Sequence, residues 1–313
     1  MENLNQRRGA PEDVPALQTT EQEFTLEQDG FVGSLYRPRQ DFYPGKAIMM
    51  FSGSDGMYSL TKLVAQQYVR RGLTVLALAY WRYPGLPNRF ERIPIEILEK
   101  PALWLKANGY AKVGLWGISM GAEYALIAAS LLPDLISCVV AVAPINIVGQ
   151  GMDMGRRKGG QKFGLLPCSS WSFRGKELPY VKLRLDKRRI VLDSVKRRSA
   201  CVRSCYEGVV ESAPEEGRIK VERINGPILL LSAKNDDMWP AAEAGDAMMS
   251  RLDQRNFPWP HEHISYEYAS HLLIPYKLKA ARIFAVERKY PDKCMESNLQ
   301  SFEKTLAFLK EQW

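Results

Sequence analysis

Three residues in one order could carry acyl-transfer chemistry. Gly117-Ile118-Ser119-Met120-Gly121 follows the apolar stretch VGLW and precedes AEYALIAASLL, which has a helical period. A G-x-S-x-G at such a strand–turn–helix junction holds its serine on a sharp turn with Oγ raised above the helix N-terminus. Small residues two positions to either side let strand and helix approach closely. Ser119 is therefore the candidate nucleophile, and the Met120 N–H points at the oxyanion its attack would create. A serine needs a base, and the chain has three histidines. His261 and His263 share one face of a predicted strand with Ser265 and Glu267, and read as solvent-side. His271 lies past the strand end, where loops of a parallel sheet gather at the active edge, and is the candidate base. The acid that orients it should follow the strand PILLLS, in Ala233-Lys234-Asn235-Asp236-Asp237-Met238-Trp239-Pro240. Spacing to a helix starting near Pro240 favours Asp236, which leaves Asp237 as a carboxylate at a helix N-terminus.

A second oxyanion donor should come from Phe51-Ser52-Gly53-Ser54-Asp55-Gly56, where glycine lets backbone approach a ligand. The Ser54 N–H is the candidate. Glu123, four residues past Ser119, reads as a polar group supporting the site or, by preference, as a partner of the helix dipole. Cys201 and Cys205 are spaced i, i+4 without a second cysteine pair or nearby histidine, so neither a metal site nor a cofactor is expected.

The elements that must position these residues alternate. Phe24 to Gln28, Asp29-Gly30 and Phe31 to Tyr36 read as a hairpin around a DG turn. Lys46 to Phe51, Leu73 to Tyr80, Lys112 to Trp116, Ile136 to Val142 and Pro227 to Ser232 are continuous apolar strands. Helices are expected between them, one capped by Ser59 and another over 95–108 that Pro101 should kink or split. Such a pattern predicts a mostly parallel sheet with helices on both faces. With the order Ser119, Asp236, His271 it predicts one α/β-hydrolase domain over 23–313, after a loose tail over 1–22. Regularity breaks at about 145–210, and this apolar-containing stretch reads as a cap insertion. A final helix is expected over 297–310.

The chain has 313 residues, 46% of them apolar, which excludes disordered and fibrous classes. It has no uncharged apolar run of membrane-spanning length, and MENLNQRRGAPEDVPALQTTEQE lacks the apolar core of a secretory signal. Five cysteines in such a chain point to reduced thiols and a cytoplasmic setting. The net charge of +8 is concentrated. Residues 151–210 hold fifteen Lys and Arg against five Asp and Glu, which favours an anionic partner. Arg156, Arg157, Lys158, Arg188 and Arg189 are the candidate binding residues, alongside the cluster Lys196-Arg197-Arg198. A small phosphate-bearing molecule fits better than nucleic acid, since no nucleic-acid-binding motif is present.

MMFSGSDGMYSL, LTVLALAYWRYPGLP, GLWGISMGAEYAL, SSWSFRGKELPYV, LLLSAKNDDMW and SHLLIPY together resemble the C-terminal hydrolase domain of acyl-CoA thioesterases and bile acid-CoA:amino acid N-acyltransferases. The resemblance runs from about residue 24 to 310. It implies Ser119, Asp236 and His271 as a triad and an acyl thioester as substrate. Animal members carry an N-terminal β-sandwich, for which the residues ahead of the first glycine loop are too few. The amino-acid-transferring branch has Cys where Ser119 stands. A serine acyl-enzyme is generally resolved by water, so hydrolysis is expected; transfer to an amine or alcohol, and hydrolysis of a carboxylester or lactone, are the alternatives.

Overall fold

The protein, as a computed structural model, is described over residues 20–157, 160–161 and 164–313. Its apolar runs build one eight-stranded sheet from β1 (Thr20–Phe24), β2 (Val32–Arg37), β3 (Lys46–Phe51), β4 (Thr74–Ala79), β5 (Lys112–Ile118), β6 (Val139–Val142), β7 (Ile228–Ala233) and β8 (His261–Tyr266). The spatial order is β1-β2-β4-β3-β5-β6-β7-β8. The six strands from β4 to β8 run parallel, and β1 and β2 add an antiparallel edge. Side chains alternate across the sheet, so β3 sends Ala47, Met49 and Phe51 into one core and Ile48 and Met50 into the other. The first core also holds α2 (Glu99–Ala107), α3 (Met120–Leu131) and α5 (Ala241–Gln254), and the second holds α1 (Tyr58–Arg70) and α6 (Pro291–Glu311). A strand covered on both faces has no polar side to show, which is why its sequence does not alternate. This is the α/β-hydrolase fold.

Several local expectations are corrected. Of the tail expected over 1–22, residues 1–19 lie outside the described residues, but Thr20, Glu21 and Gln22 belong to β1, opposite Arg37, Tyr36 and Leu35. The hairpin is present without a two-residue turn. Thr25 Oγ1 accepts the Gln28 N–H and caps a helical turn, Leu26–Asp29, which Gly30 ends at φ 76°. Helix α1 starts before Ser59, and its N-cap position is Met57. Pro101 divides its segment into a 3-10 turn (Ile95–Leu98) and α2, where it is the third residue and its missing N–H removes no helical bond. The last helix begins at Pro291, earlier than expected.

Regular alternation is interrupted between β6 and β7. This insertion pairs Gln150–Asp153 with Gly164–Ser169, and Trp171–Phe173 with Lys176–Glu177, then forms α4 (Lys187–Arg197). Trp171 and Ser172 also pair in parallel with Ile93 and Pro94, in a small sheet of their own, which ties the insertion to the segment that leads into α2.

Candidate active site

Strand β5 ends at Ile118 and α3 starts at Met120, so Ser119 makes the whole turn, at φ 59° and ψ −128°. A non-glycine residue sits there only when its surroundings force it. Here Ser119 N–H donates to Val142 O on β6 (2.9 Å), while its carbonyl accepts from Ala122 and Glu123 (2.8 and 3.1 Å). The flanking glycines are required sterically. A Cβ on Gly117 would lie 2.1 Å from Gly121 O, and one on Gly121 would lie 2.4 Å from Ser52 O.

The structure brings Ser119, His271 and Asp236 together. Ser119 Oγ is 2.8 Å from His271 Nε2, and His271 Nδ1 is 2.7 Å from Asp236 Oδ2. The Asp236 carboxylate is fully buried, and its Oδ1 accepts the Met238 N–H (2.8 Å). A carboxylate can only accept, so Nδ1 carries the proton and Nε2 is left to accept from the serine hydroxyl. The Trp239 ring stands edge-on to the imidazole at 5.2 Å, and its Nε1–H is anchored on Ala143 O. Asp237 faces elsewhere. Its carboxylate accepts from Arg197 and Ser199, and its carbonyl accepts from Val202 and Arg203. It fastens the insertion, a task its position at a helix start did not indicate.

The Gly53 loop passes over the serine. A Cβ on Gly53 would lie 2.8 Å from Ser119 Cβ and 3.2 Å from its Oγ. Tyr80 Oη donates to Ser52 O and Trp81 Nε1 to Gly53 O, both at 3.1 Å. In a trans peptide the N–H opposes the carbonyl, so pinning Gly53 O on Trp81 aims the Ser54 N–H away from that ring. The Met120 N–H is one of the first amides of α3, which have no intrahelical acceptor. Asp55 turns back on the same loop, accepting the Met57 N–H (2.5 Å), and desolvation lifts its carboxyl above the usual range. Sequence reasoning did not single out Asp55, Tyr80 or Trp81; the Tyr-Trp pair just past the end of β4, at the sheet's active edge, was the available signal.

Glu123 stands in the first turn of α3, where a carboxylate faces the helix dipole, but it is also a buried polar group supporting the site. It is 1% exposed, and its Oε1 accepts the Gly149 N–H (2.7 Å) and the Trp171 Nε1–H (2.6 Å), both from the insertion. Burial pushes its carboxyl up to about 7 against these two lowering bonds. Tyr80, Tyr124 and Trp171 stack beside it. His263 is likewise not solvent-side. Its ring lies under Gly245 of α5 and bonds Ser232 Oγ and Asp246 Oδ1, both at 2.8 Å. His261 is partly covered, between Trp259 O and Asp253 Oδ1. The five cysteines are free and buried.

Of the basic candidates, Arg156 and Arg157 form a two-residue strand with Gly160–Gln161, and Lys158 lies outside the described residues. Arg189 is engaged by Asp193 and Glu207, while the Arg188 side chain makes no ion pair among the described residues. A basic site outside the insertion was missed. One residue before His271, Ser270 Oγ donates to Glu287 (2.7 Å), and Glu287 lines a groove of about 420 Å³ with Lys277, Lys279, Arg282, Arg288 and Asn298. Among the described residues none of these four cations pairs with a carboxylate, and buried Asn298 Oδ1 has no hydrogen-bond partner. Its cations are scattered over 277–288, without the clustering that marks the insertion.

Residues 93–285 match the family described as BAAT / Acyl-CoA thioester hydrolase C terminal. Human acyl-coenzyme A thioesterase 1 is 25% identical over 247 residues, covering 78% of this chain and 52% of the human protein. Mouse bile acid-CoA:amino acid N-acyltransferase is 34% identical over 123 residues, covering 38% of this chain and 28% of the mouse protein. The chain thus spans about half the length of the thioesterase it matches. Among solved structures, a hyperthermophilic esterase from Pyrobaculum calidifontis superposes with a TM-score of 0.53 at 14% identity, over 93% of this chain and 85% of that one. At that identity the likeness is one of fold.

Proposed function

The chain belongs to the BAAT/acyl-CoA thioester hydrolase family, and from that premise we propose that it cleaves an acyl thioester through an acyl-enzyme on Ser119. The hydrogen-bonded line Ser119–His271–Asp236, with its serine on a strained turn, carries the reading. His271 Nε2 takes the hydroxyl proton as Oγ attacks the carbonyl carbon. The Met120 and Ser54 N–H groups receive the oxyanion. As the intermediate collapses, the C–S bond breaks and His271 returns the proton to the leaving thiolate. Water then adds to the acyl-enzyme by the same route, releasing the acid and Ser119. Asp236 holds the imidazole in the tautomer both halves need.

The insertion between β6 and β7 serves as the cap over this site, and the groove beside Glu287 receives the carrier. Four cations that pair with no carboxylate among the described residues, one of them (Arg288) held by the Arg282 and Arg198 carbonyls, suit the phosphates of a coenzyme A-like carrier. The groove's Asn298 Oδ1 offers an acceptor to a ring amine. The test is a turnover panel of acyl-CoAs and p-nitrophenyl esters, with and without glycine or taurine, beside a fluorophosphonate probe. Thiol release from acyl-CoA with labelling at Ser119 supports the reading. Turnover of oxygen esters alone would replace it with a carboxylester hydrolase. Release that requires the amino acid would replace it with an acyltransferase.

A further inference from the structure

Helix α4 of the insertion presents an apolar row outward. Val191, Leu192 and Val195 are 61%, 69% and 71% exposed, and helical spacing puts them on one face with Arg188. Lys187 and Lys196 flank the row, and none of these three cations makes an ion pair among the described residues. Ile283, 53% exposed, continues the patch, its carbonyl accepting the Ala200 N–H just past the helix end. The opposite face is firmly seated. Ile190 packs on the core, Ser194 Oγ donates to Cys201 O, and Arg197 pairs with Asp237. Exposure of the row is therefore built into the way the helix is held.

We infer that this face docks on an anionic lipid surface. Aliphatic side chains ringed by cations match the boundary between acyl chains and acidic headgroups, and the helix can lie in that plane. The row carries no acid, so its charge complements a negative surface throughout. Size argues against a protein partner. An eleven-residue helix is about 16 Å long, whereas a stable protein interface takes roughly 800 Å² from each side. Through Arg197 the helix is joined to Asp237, next to Asp236, so docking would hold the candidate site beside a lipid surface. The inference does not depend on the thioester reading.

The experiment is co-sedimentation of the full chain with vesicles of phosphatidylcholine alone or mixed with phosphatidylserine, together with size-exclusion chromatography. Wild type should bind the mixed vesicles at least tenfold more tightly than the neutral ones, and added salt should weaken it. Leu192→Ser/Val195→Ser should weaken binding about tenfold or more, with melting temperature and turnover of a short soluble ester unchanged. Leu192→Trp should strengthen it, which separates docking from damage to the fold. Equal binding to both vesicle types, no binding by wild type, or an unaffected double variant would overturn the inference. So would a dimer that the double variant turns into monomer, since the row would then be a self-interface.

Discussion

Ser119 and His271 share a single proton, so neither accelerates the reaction without the other. Ser119→Ala and His271→Ala should each lower kcat by about 10³-fold or more, and the double variant should lose little beyond either single one. Steady-state turnover checks this, and additive losses would count against the assignment. The two adjacent aspartates should separate by kind of effect. Asp236→Asn removes the acceptor that fixes the imidazole tautomer and should cut kcat by orders of magnitude, with the melting temperature nearly unchanged. Asp237→Asn leaves the imidazole bonded but weakens the hold on Arg197 and Ser199, so it should lower the melting temperature and affect kcat mildly. A variant pair with these effects exchanged would place the orienting acid one residue later.

At the scale of elements, Glu123 joins α3 to the insertion by two buried bonds, and its protonation belongs to the folded state. Its folded pKa of about 7 lies above the usual carboxylate value of 4.5. The stability it contributes is therefore complete below about pH 4.5 and is lost as pH rises towards 7, by at most about 3 kcal/mol. Glu123→Gln keeps an acceptor for Gly149 and Trp171 but does not titrate, so melting temperature should vary less with pH across that window. Thermal melts of both proteins decide it, and an unchanged pH slope would assign the titration to another group. The same residue shows why some of the site was legible in sequence and some was not. The apolar strands and the Gly117–Gly121 turn announce themselves because their causes are local: period, chain reversal, small neighbours. The partners of Glu123 stand 26 and 48 residues away, and Asp237 meets an arginine 40 residues upstream. His263 looked solvent-side because strand alternation does not reveal which face α5 covers. None of these has a local signature.

Considered as a whole molecule, the chain has two groups of cations that pair with no carboxylate among the described residues and bear on binding. One, along α4, borders an apolar row. The other, Lys277, Lys279, Arg282 and Arg288, lines a groove that Glu287 and Ser270 connect to His271. Lys277→Gln/Arg282→Gln should raise KM for acyl-CoA several-fold and leave kcat on a short neutral ester nearly unchanged, because binding far from the carbonyl does not alter the chemical step. The acyl-CoA KM should also rise with salt. Equal effects on both substrates would make these residues supports of the fold. The adjacency of Asp236 and Asp237 also sets a rule for building chimaeras. One peptide bond separates the group that holds the imidazole from the group that holds the insertion, so the segment between β6 and β7 is not a free cassette. A donor segment grafted there to change specificity would have to bring its own equivalents of Arg197, Ser199 and the Val202–Arg203 amides. Without them Asp237 would be left buried and without partners, and the resulting loss of stability would be misread as a change in substrate preference.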